Sequence, residues 1–503
     1  MLKHGVLEFG HFGISAARRG SDRHSCLSNS SLKQLKTSKN GLSLLEMSNP
    51  QSPVLKHGAN EKLMDSDPQS ESCSPQSNLA SSKRVLLLFT TTGYNAEDFL
   101  KAAKKLRVEV IPGTDRCHVL DDPWMDGAIP LRFGNPQRSA RAILRYCERN
   151  PVNAILAIGD RPTLTAALAS QALGLPHNPP EAVSACRNKL KLRRLLRKAG
   201  LAVPDFACYS VDQDETEIAP RIRYPCVLKP LSLSASQGVI RADSPDQFKG
   251  AFKRIAALLK SPAIQVTRER THDRILVEDY IEGKEIALEG ILDGGRLKVL
   301  AQFDKPDPLE GPFFEETLYV TPSRLEPQVQ SQIAGCTTRA TQALGLVDGP
   351  IHAELRVNGR GPWLLEVAAR SIGGLCSRTL HFGTGMSLEE LILRHALRLK
   401  IPSFQRQKAA AGVMMIPIPT AGYFRKATGV DKALALDGIE EIAITAKVGQ
   451  KLVPLPEGSS YLGFIFARGG SPVMVESILR TAHSKLKFEI SPHLPILDTV
   501  RES

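Results

Sequence analysis

Absences narrow the field first. The chain has 503 residues, yet none of its uncharged apolar runs, VLLLF at residues 85–89 among them, approaches the ~18 residues that a membrane helix needs. No spanning segment is expected, and no membrane partner. The nine cysteines, Cys26, Cys73, Cys117, Cys147, Cys186, Cys208, Cys226, Cys336 and Cys376, show no CxxC or His-flanked spacing. That pattern argues against a structural zinc site and suits a reducing compartment. The first apolar run is followed by TTTGYN and not by GxGxxG, so the close backbone approach that a dinucleotide pyrophosphate needs is missing, and a nicotinamide or flavin enzyme loses its main support. A GxxxxGK[ST] loop is absent as well. Lys and Arg exceed Asp and Glu, 65 against 52, but they are spread along the chain and not gathered with aromatics into a block. Nucleic acid is not expected as a partner, whereas a basic surface that helps gather phosphate-bearing small molecules is.

What is present divides the chain into four parts of α/β and α+β character. Residues 1–82 are rich in Ser, Asn, Gln and Pro and lack a sustained apolar period, as expected of a disordered extension. The first forty are basic and poor in acid, which fits a transit peptide and an organelle stroma or matrix. Met47 and Met64 fit a start placed upstream of the true one just as well, and the protein would then be cytoplasmic.

Order is expected from residue 83. KRVLLLFTTTGYNAEDFLKAAKKLRVEVIP reads as strand, glycine turn, helix over Ala96–Leu106 and strand. SARAILRYCERN reads as helix, NAILAIGD as a buried strand ending at Gly159 and Asp160, and TLTAALASQALG as a helix stopped by Gly174. Such alternation implies a Rossmann-like domain over residues 83–185, a parallel sheet covered by helices that binds ligands at the carboxyl ends of its strands. In NPPEAVSACRNKLKLRRLLRKAG, Asn178 is the expected N-cap and Gly200 lies just past the end. Lys189, Arg193 and Arg197 share one face of that helix, a charge row that usually meets solvent.

Residues 186–400 continue with paired strands: YPCVLKP, RILVEDYIEG, KEIALEGIL and RLKVLAQF, the last two joined at Asp293-Gly294-Gly295. A helix over Pro327–Leu344 precedes PIHAELRV and PWLLEVA, which meet at Asn358-Gly359. Residues 401–503 read as a small β-rich α+β part ending in the helical PVMVESILRTAHSKL.

Three stretches carry chemistry. In HAELRV and LLEVAAR a single glutamate interrupts apolar residues, so a hairpin sets Glu354 and Glu366 side by side on one face. Two adjacent carboxylates repel at a cost of several kcal/mol unless a cation lies between them. Magnesium, which takes oxygen ligands from one or two carboxylates plus substrate phosphates, is the natural candidate. Arg370 and Gly373-Gly374 follow directly. YPCVLKPLSLSASQGV places Lys229 at a strand end before small residues, Ser236 and Gly238 among them, whose amides can approach phosphate oxygens. ILVEDYIEGKEIALEG offers Glu278, a short hinge and Glu285, a carboxylate for ribose hydroxyls beside backbone for an adenine edge. His352 is read equally as a residue facing this site and as a satisfied structural histidine.

Over residues 84–395 these stretches resemble the ATP-grasp superfamily. Asn188-Lys189 is similar to its lysine helix, Lys229 to its vlKP strand, Glu278 through Glu285 to its vEeyieGxE hinge, Glu354 to its acidic strand residue, and Glu366 through Arg370 to its ExNxR segment. The resemblance implies a Rossmann-like pre-ATP-grasp domain followed by a two-lobed ATP-grasp fold. DKPDPLEGPFFEETLYVTPSRL and RSIGGLCSRTLHFGTG resemble the substrate segments of carboxylate-amine ligases that join amino acids, the dipeptide-ligase and carnosine-synthase-like branch. The resemblance then implies that ATP converts a carboxylate to an acyl phosphate and that an amine displaces the phosphate.

It also implies roles. Lys189 and Lys229 hold phosphates under a lid containing Ser236 and Gly238. Glu278, Asp279 and Ile281 flank the adenine, and Glu285 takes the ribose. Glu354 and Glu366 hold magnesium, or manganese in its stead, while Arg370 and Glu366 form the catalytic centre. Small carboxylates and amines are the implied partners, and a homodimer the implied assembly. One departure stands out: Ala368 lies where the family usually has Asn. An alanine cannot ligate metal, so the alternative is a catalytically silent scaffold that binds nucleotide.

Overall fold

The computed structural model describes residues 83–91, 93, 95–115 and 127–493; the expectations for residues 1–82 lie outside the described residues. Strand β1 (Arg84–Phe89) is flanked by β2 (Glu109–Thr114) and β4 (Ala154–Ala157), with β3 (Ile129–Pro130) beyond β2, all parallel in the order β3-β2-β1-β4. Val85 and Leu87 pack into one core and Leu86 and Leu88 into another. Burial on both faces is why this strand is apolar throughout and does not alternate. Because the chain leaves β1 toward β2 and returns on its other side as β4, the carboxyl ends of β1 and β4 form a switch point, the crevice where such sheets bind ligands.

The helix expected after residue 178 is two, Pro180–Cys186 and Lys189–Lys198. Asn178 is not a cap. Its Oδ1 accepts from the N–H groups of Val347 and Asp348 at 2.7 and 2.9 Å, and its Nδ2 donates to the Asp348 carbonyl at 2.6 Å. Asn188 caps the second helix instead, accepting from the Lys191 N–H at 3.0 Å. An asparagine competing for backbone donors inside the run breaks it and makes Lys189 a first-turn residue.

A four-stranded antiparallel sheet follows in the order β5-β8-β6-β7, from β5 (Phe206–Ser210), β6 (Cys226–Pro230), β7 (Ile240–Ala242) and β8 (Arg274–Asp279). Helix Pro245–Lys260 covers it with a stripe of Phe248, Phe252, Ile255 and Leu259, each at most 1 % exposed and each contributing ~1.5–3 kcal/mol.

The largest sheet has eight strands. It contains β9 (Lys284–Asp293), β10 (Arg296–Asp304), β11 (Leu318–Thr321), β12 (Gly349–Asn358) and β13 (Gly361–Ala368), in the order β13-β12-β9-β10-β11. Gly294 and Gly295, with φ of 56° and 78°, supply the two left-handed residues that the β9–β10 hairpin turn needs. The sheet does not stop at residue 400. Strand Ala410–Ile416 pairs with β11, followed by Gly463–Gly469 and Ile439–Ile444. Four-residue β11 would otherwise be an open edge, so the C-terminal strands continue the sheet and cover it.

Candidate active site

Alternation along β12 directs His352, Glu354 and Arg356 to one face, and along β9 it does the same for Glu285, Ala287 and Glu289. The register sets Glu354 opposite Glu366 on β13, with Ala287 on its other side, and His352 between Glu289 and Ala368. The expected side-by-side glutamates are therefore present. Above this face lies a cavity of about 400 Å³, lined by the loop Leu233–Ser236, by Arg370–Gly374, and by the carboxyl ends of β1 and β4.

The charges in the cavity floor are matched by the protein's own cations. Glu285, Glu316 and Glu354 bring oxygens within 4.8 Å of one another. The buried Lys305 Nζ reaches all three, at 2.8, 2.5 and 3.4 Å. Arg356 Nε donates to Glu285 at 3.1 Å, and its Nη1 to the Ile281 carbonyl at 2.7 Å. Glu285, expected to take a ribose, lines the cavity with both oxygens already paired to cations.

His352 Nδ1 lies 2.5 Å from Glu289 and Nε2 3.2 Å from Glu354. Burial works against a charged ring, but the two carboxylates outweigh it and raise His352 to about 9. Burial likewise opposes the Glu354 carboxylate, which Lys305 and His352 hold well below the usual range. Glu366 meets Lys189 Nζ at 3.4 Å. Repulsion between Glu354 and Glu366 therefore does not by itself demand a metal. Their side chains are still 22 % and 24 % exposed, both line the cavity, and two carboxylates facing open space suit a hard divalent cation.

Glu278 departs most from expectation. It is 2 % exposed, receives Arg193 Nε and Nη2 at 2.6 and 3.2 Å and Lys229 Nζ at 2.7 Å. Burial penalises its charge, yet the two cations prevail and lower it to about 2. Its carboxylate therefore positions Lys229 at the cavity wall. In the hinge, the N–H groups of Asp279 and Tyr280 already donate to Asp205 and Pro225, and Asp279 pairs with Arg223 at 3.3 Å. Arg193, expected in a solvated row, is the 1 % exposed centre of this cluster, whereas Arg197 does lie at the surface beside Asp205.

Lys189 Nζ donates to the Leu233 carbonyl at 2.8 Å, tying helix to loop. Ser236 and Gly238 both adopt left-handed φ, and the Gly238 N–H donates to the Pro456 carbonyl at 2.8 Å, so it is engaged by the C-terminal part. Arg370 reaches across to the first sheet, its Nε and Nη2 donating to Asp160 at 2.9 and 3.0 Å. Gly374 has φ of 60°, and a Cβ there would meet the Phe464 ring at 2.8 Å, which explains one of the two glycines after Arg370.

The sequence reading missed Arg193, Glu289, Lys305, Glu316 and Arg356, and gave Asp160 no role. Period-two spacing, Glu285 with Glu289 and Glu354 with Arg356, was the available signal for two of them. Glu316 is strongly perturbed: burial and the nearby Glu354 charge raise it to about 7 against the pull of Lys305, and it also accepts from the Tyr319 hydroxyl at 2.8 Å.

With this geometry in place, comparison with known proteins is informative. Residues 222–379 match the ATP-grasp domain and residues 414–491 the L-amino acid ligase C-terminal domain 2. It is 27 % identical to alanine–anticapsin ligase of Bacillus subtilis (strain 168), over 45 % of this chain and 50 % of the relative. It is also 27 % identical to carnosine synthase 1 of Mus musculus, over 50 % and 32 %. The matches thus span about half or less of these relatives' length. The crystal structure of an L-amino acid ligase from Bacillus licheniformis superposes with a TM-score of 0.70 at 25 % identity, covering 82 % of this chain and 99 % of that one. The fold is the ATP-grasp fold.

Proposed function

We propose that this chain, which matches an ATP-grasp domain and an L-amino acid ligase C-terminal domain, is a ligase that joins a carboxylate to an amine with release of ADP and phosphate. The observation that carries this reading is the register of Glu354 against Glu366, with Lys189 at one end of the pair and Arg370 on the loop that follows it. Magnesium, or manganese, when bound would draw phosphate oxygens together and spread the charge of phosphoryl transfer.

The chain's own residues do the rest. Glu354 and Glu366 hold the cation, and Lys189 and Lys229 hold nucleotide phosphates under the Ser236–Gly238 loop. Ile281 and Asp279 border the base. Arg370, with N–H groups to spare beyond those given to Asp160, steadies the transferred group. A carboxylate oxygen attacks the γ-phosphorus and the bond to ADP breaks. The amine nitrogen then attacks the acyl carbon, phosphate leaves with the bonding pair, and the amine's proton goes to Glu316. Closure of the Ser236–Gly238 loop over the cavity would keep water from the acyl phosphate. The substrates are an amino acid and an amine, and the assembly is a homodimer.

Purified protein with ATP and magnesium should release phosphate only when both a carboxylate and an amine are supplied. ATP binding without release in any amino-acid mixture would favour the silent scaffold, which has one observation behind it: Ala368, 2 % exposed and opposite His352, offers no donor.

A pH profile tests Glu316. A group raised to about 7 is protonated below that pH and accepts a proton above it, so kcat/KM for the amine should rise through an inflection near 7. Glu316→Gln should remove that inflection and leave the amine's own ionisation.

A further inference from the structure

Two walls of the cavity come from different parts of the fold. The loop Arg370–Gly374 follows β13, whereas Gly159 and Asp160 follow β4 of the parallel sheet. The mechanism above uses Arg370 and leaves Asp160 without a task. Although 210 positions separate them, Arg370 donates to both carboxylate oxygens of Asp160, from Nε at 2.9 Å and from Nη2 at 3.0 Å. Two parallel bonds between planar groups fix the plane of the guanidinium as well as its place, which a single contact does not.

The carboxylate is itself held. Gly159, with φ of 79°, turns the chain at the end of β4. The Asp160 carbonyl then accepts the Thr163 N–H at 3.3 Å and the Thr163 hydroxyl at 2.7 Å, at the start of helix Thr163–Ala172. Of the five N–H groups of Arg370, two go to Asp160 and a third, from Nη1, to the Ser371 carbonyl at 2.9 Å. The other two, one on each terminal nitrogen, have no partner among the described residues, and the side chain is 11 % exposed in the cavity wall.

A carboxylate beside an anion-binding arginine competes with the anion, so the pairing weakens the hold of Arg370 on phosphate in the ground state. What it supplies in return is direction, since a long, flexible side chain gives up its freedom before the ligand arrives. We infer that Asp160 is a positioning residue for phosphoryl transfer. Through this carboxylate the parallel sheet sets the plane of the Arg370 guanidinium, so that its free N–H groups meet the phosphoryl group in the transition state. The inference rests on the ligase reading, which gives Arg370 its role, and it adds that the first sheet takes part in the chemistry as well as walling the cavity.

The test is a double-mutant cycle in the full chain, read as phosphate release with ATP, magnesium and the carboxylate and amine that wild type joins fastest. Asp160→Asn keeps the shape but sets a donor against an arginine N–H. It should lower kcat ~10²-fold, the scale of a misplaced transition-state contact, with KM for ATP within about threefold of wild type. Arg370→Lys keeps the charge and loses the fork. In the Arg370→Lys background Asp160→Asn should change kcat by no more than about twofold, because no guanidinium is left to aim. A purely structural Asp160 would instead make the two losses multiply. Multiplied losses, or a kcat in Asp160→Asn within about threefold of wild type, overturn the inference. Asp160→Ser takes the place of Asp160→Asn in the cycle if the latter does not fold.

If wild type releases no phosphate with any pair, the ligase reading has failed on its own terms, and the orientation of Arg370 is then measured without turnover. In protein carrying isotopically labelled arginine and loaded with ADP and magnesium, the Nε–H resonance missing from Arg370→Lys reports this side chain. Solvent exchange that is slow in wild type and at least ~10-fold faster in Asp160→Asn upholds Asp160 as the group that orients Arg370, and equal rates overturn it.

Discussion

Glu366→Gln is expected to lower amine-dependent phosphate release about 10³-fold, equivalent to ~4 kcal/mol of transition-state stabilisation, and to leave the protein folded. The substitution keeps shape and removes charge. Its neighbours tolerate that loss: the side chain is 24 % exposed, and Lys189, its ion-pair partner at 3.4 Å, keeps its bond to the Leu233 carbonyl. What disappears is one of two carboxylates able to hold a divalent ion against phosphate oxygens. The magnesium concentration for half-maximal rate should rise while the thermal midpoint stays within a few degrees. Activity within tenfold of wild type would remove Glu366 from the reacting centre.

Glu354→Gln should cost as much activity but differ in stability, because Glu354 also balances Lys305 and His352. The contrast between the two variants separates ligand from counter-ion. It also bears on why Ala368 need not silence the site: the residue opposite it is His352, a ring fixed by Glu289, so the sheet face next to the carboxylates is already occupied by a cationic group.

Local patterns made much of the fold legible. The helices Ala96–Leu106 and Pro327–Leu344, the Gly294-Gly295 hairpin and the pairing of Glu354 with Glu366 follow from periodicity and turn chemistry alone. Two kinds of feature were not legible. Asn178 and Asn188 differ only in which long-range partner each meets, Asp348 or the helix it precedes, and no local window contains Asp348. The partners of the site carboxylates lie far along the chain as well: Arg193 meets Glu278 and Lys305 meets Glu285 only after the sheets assemble. A carboxylate in a strand therefore announces itself in sequence, but whether it faces a ligand or a buried cation is decided by tertiary pairing.

That distinction gives the second large effect. Glu278→Ala is expected to destabilise the fold by ~3–5 kcal/mol, because removing one member of a buried ionic cluster strands the others without a counter-charge. Arg193 is 1 % exposed and its Nη1 already lacks a partner, and Lys229 has Glu278 as its close anion at 2.7 Å. Glu278→Gln should lose nearly as much, since it restores shape but not charge. The pH dependence follows from the lowered pKa of about 2. A carboxyl that ionises more readily folded than unfolded contributes stability above its unfolded pKa near 4.5, and that contribution is lost as pH falls through about 2. Denaturant midpoints should therefore fall on acidification in wild type more steeply than in Glu278→Gln. The neighbouring Asp279→Asn serves as a comparison, because its pair with the 70 % exposed Arg223 is screened by water and should leave the midpoint almost unchanged. Equal losses in Glu278→Gln and Asp279→Asn would mean that the cluster does not hold Lys229, and phosphate contact at that strand end would need another anchor.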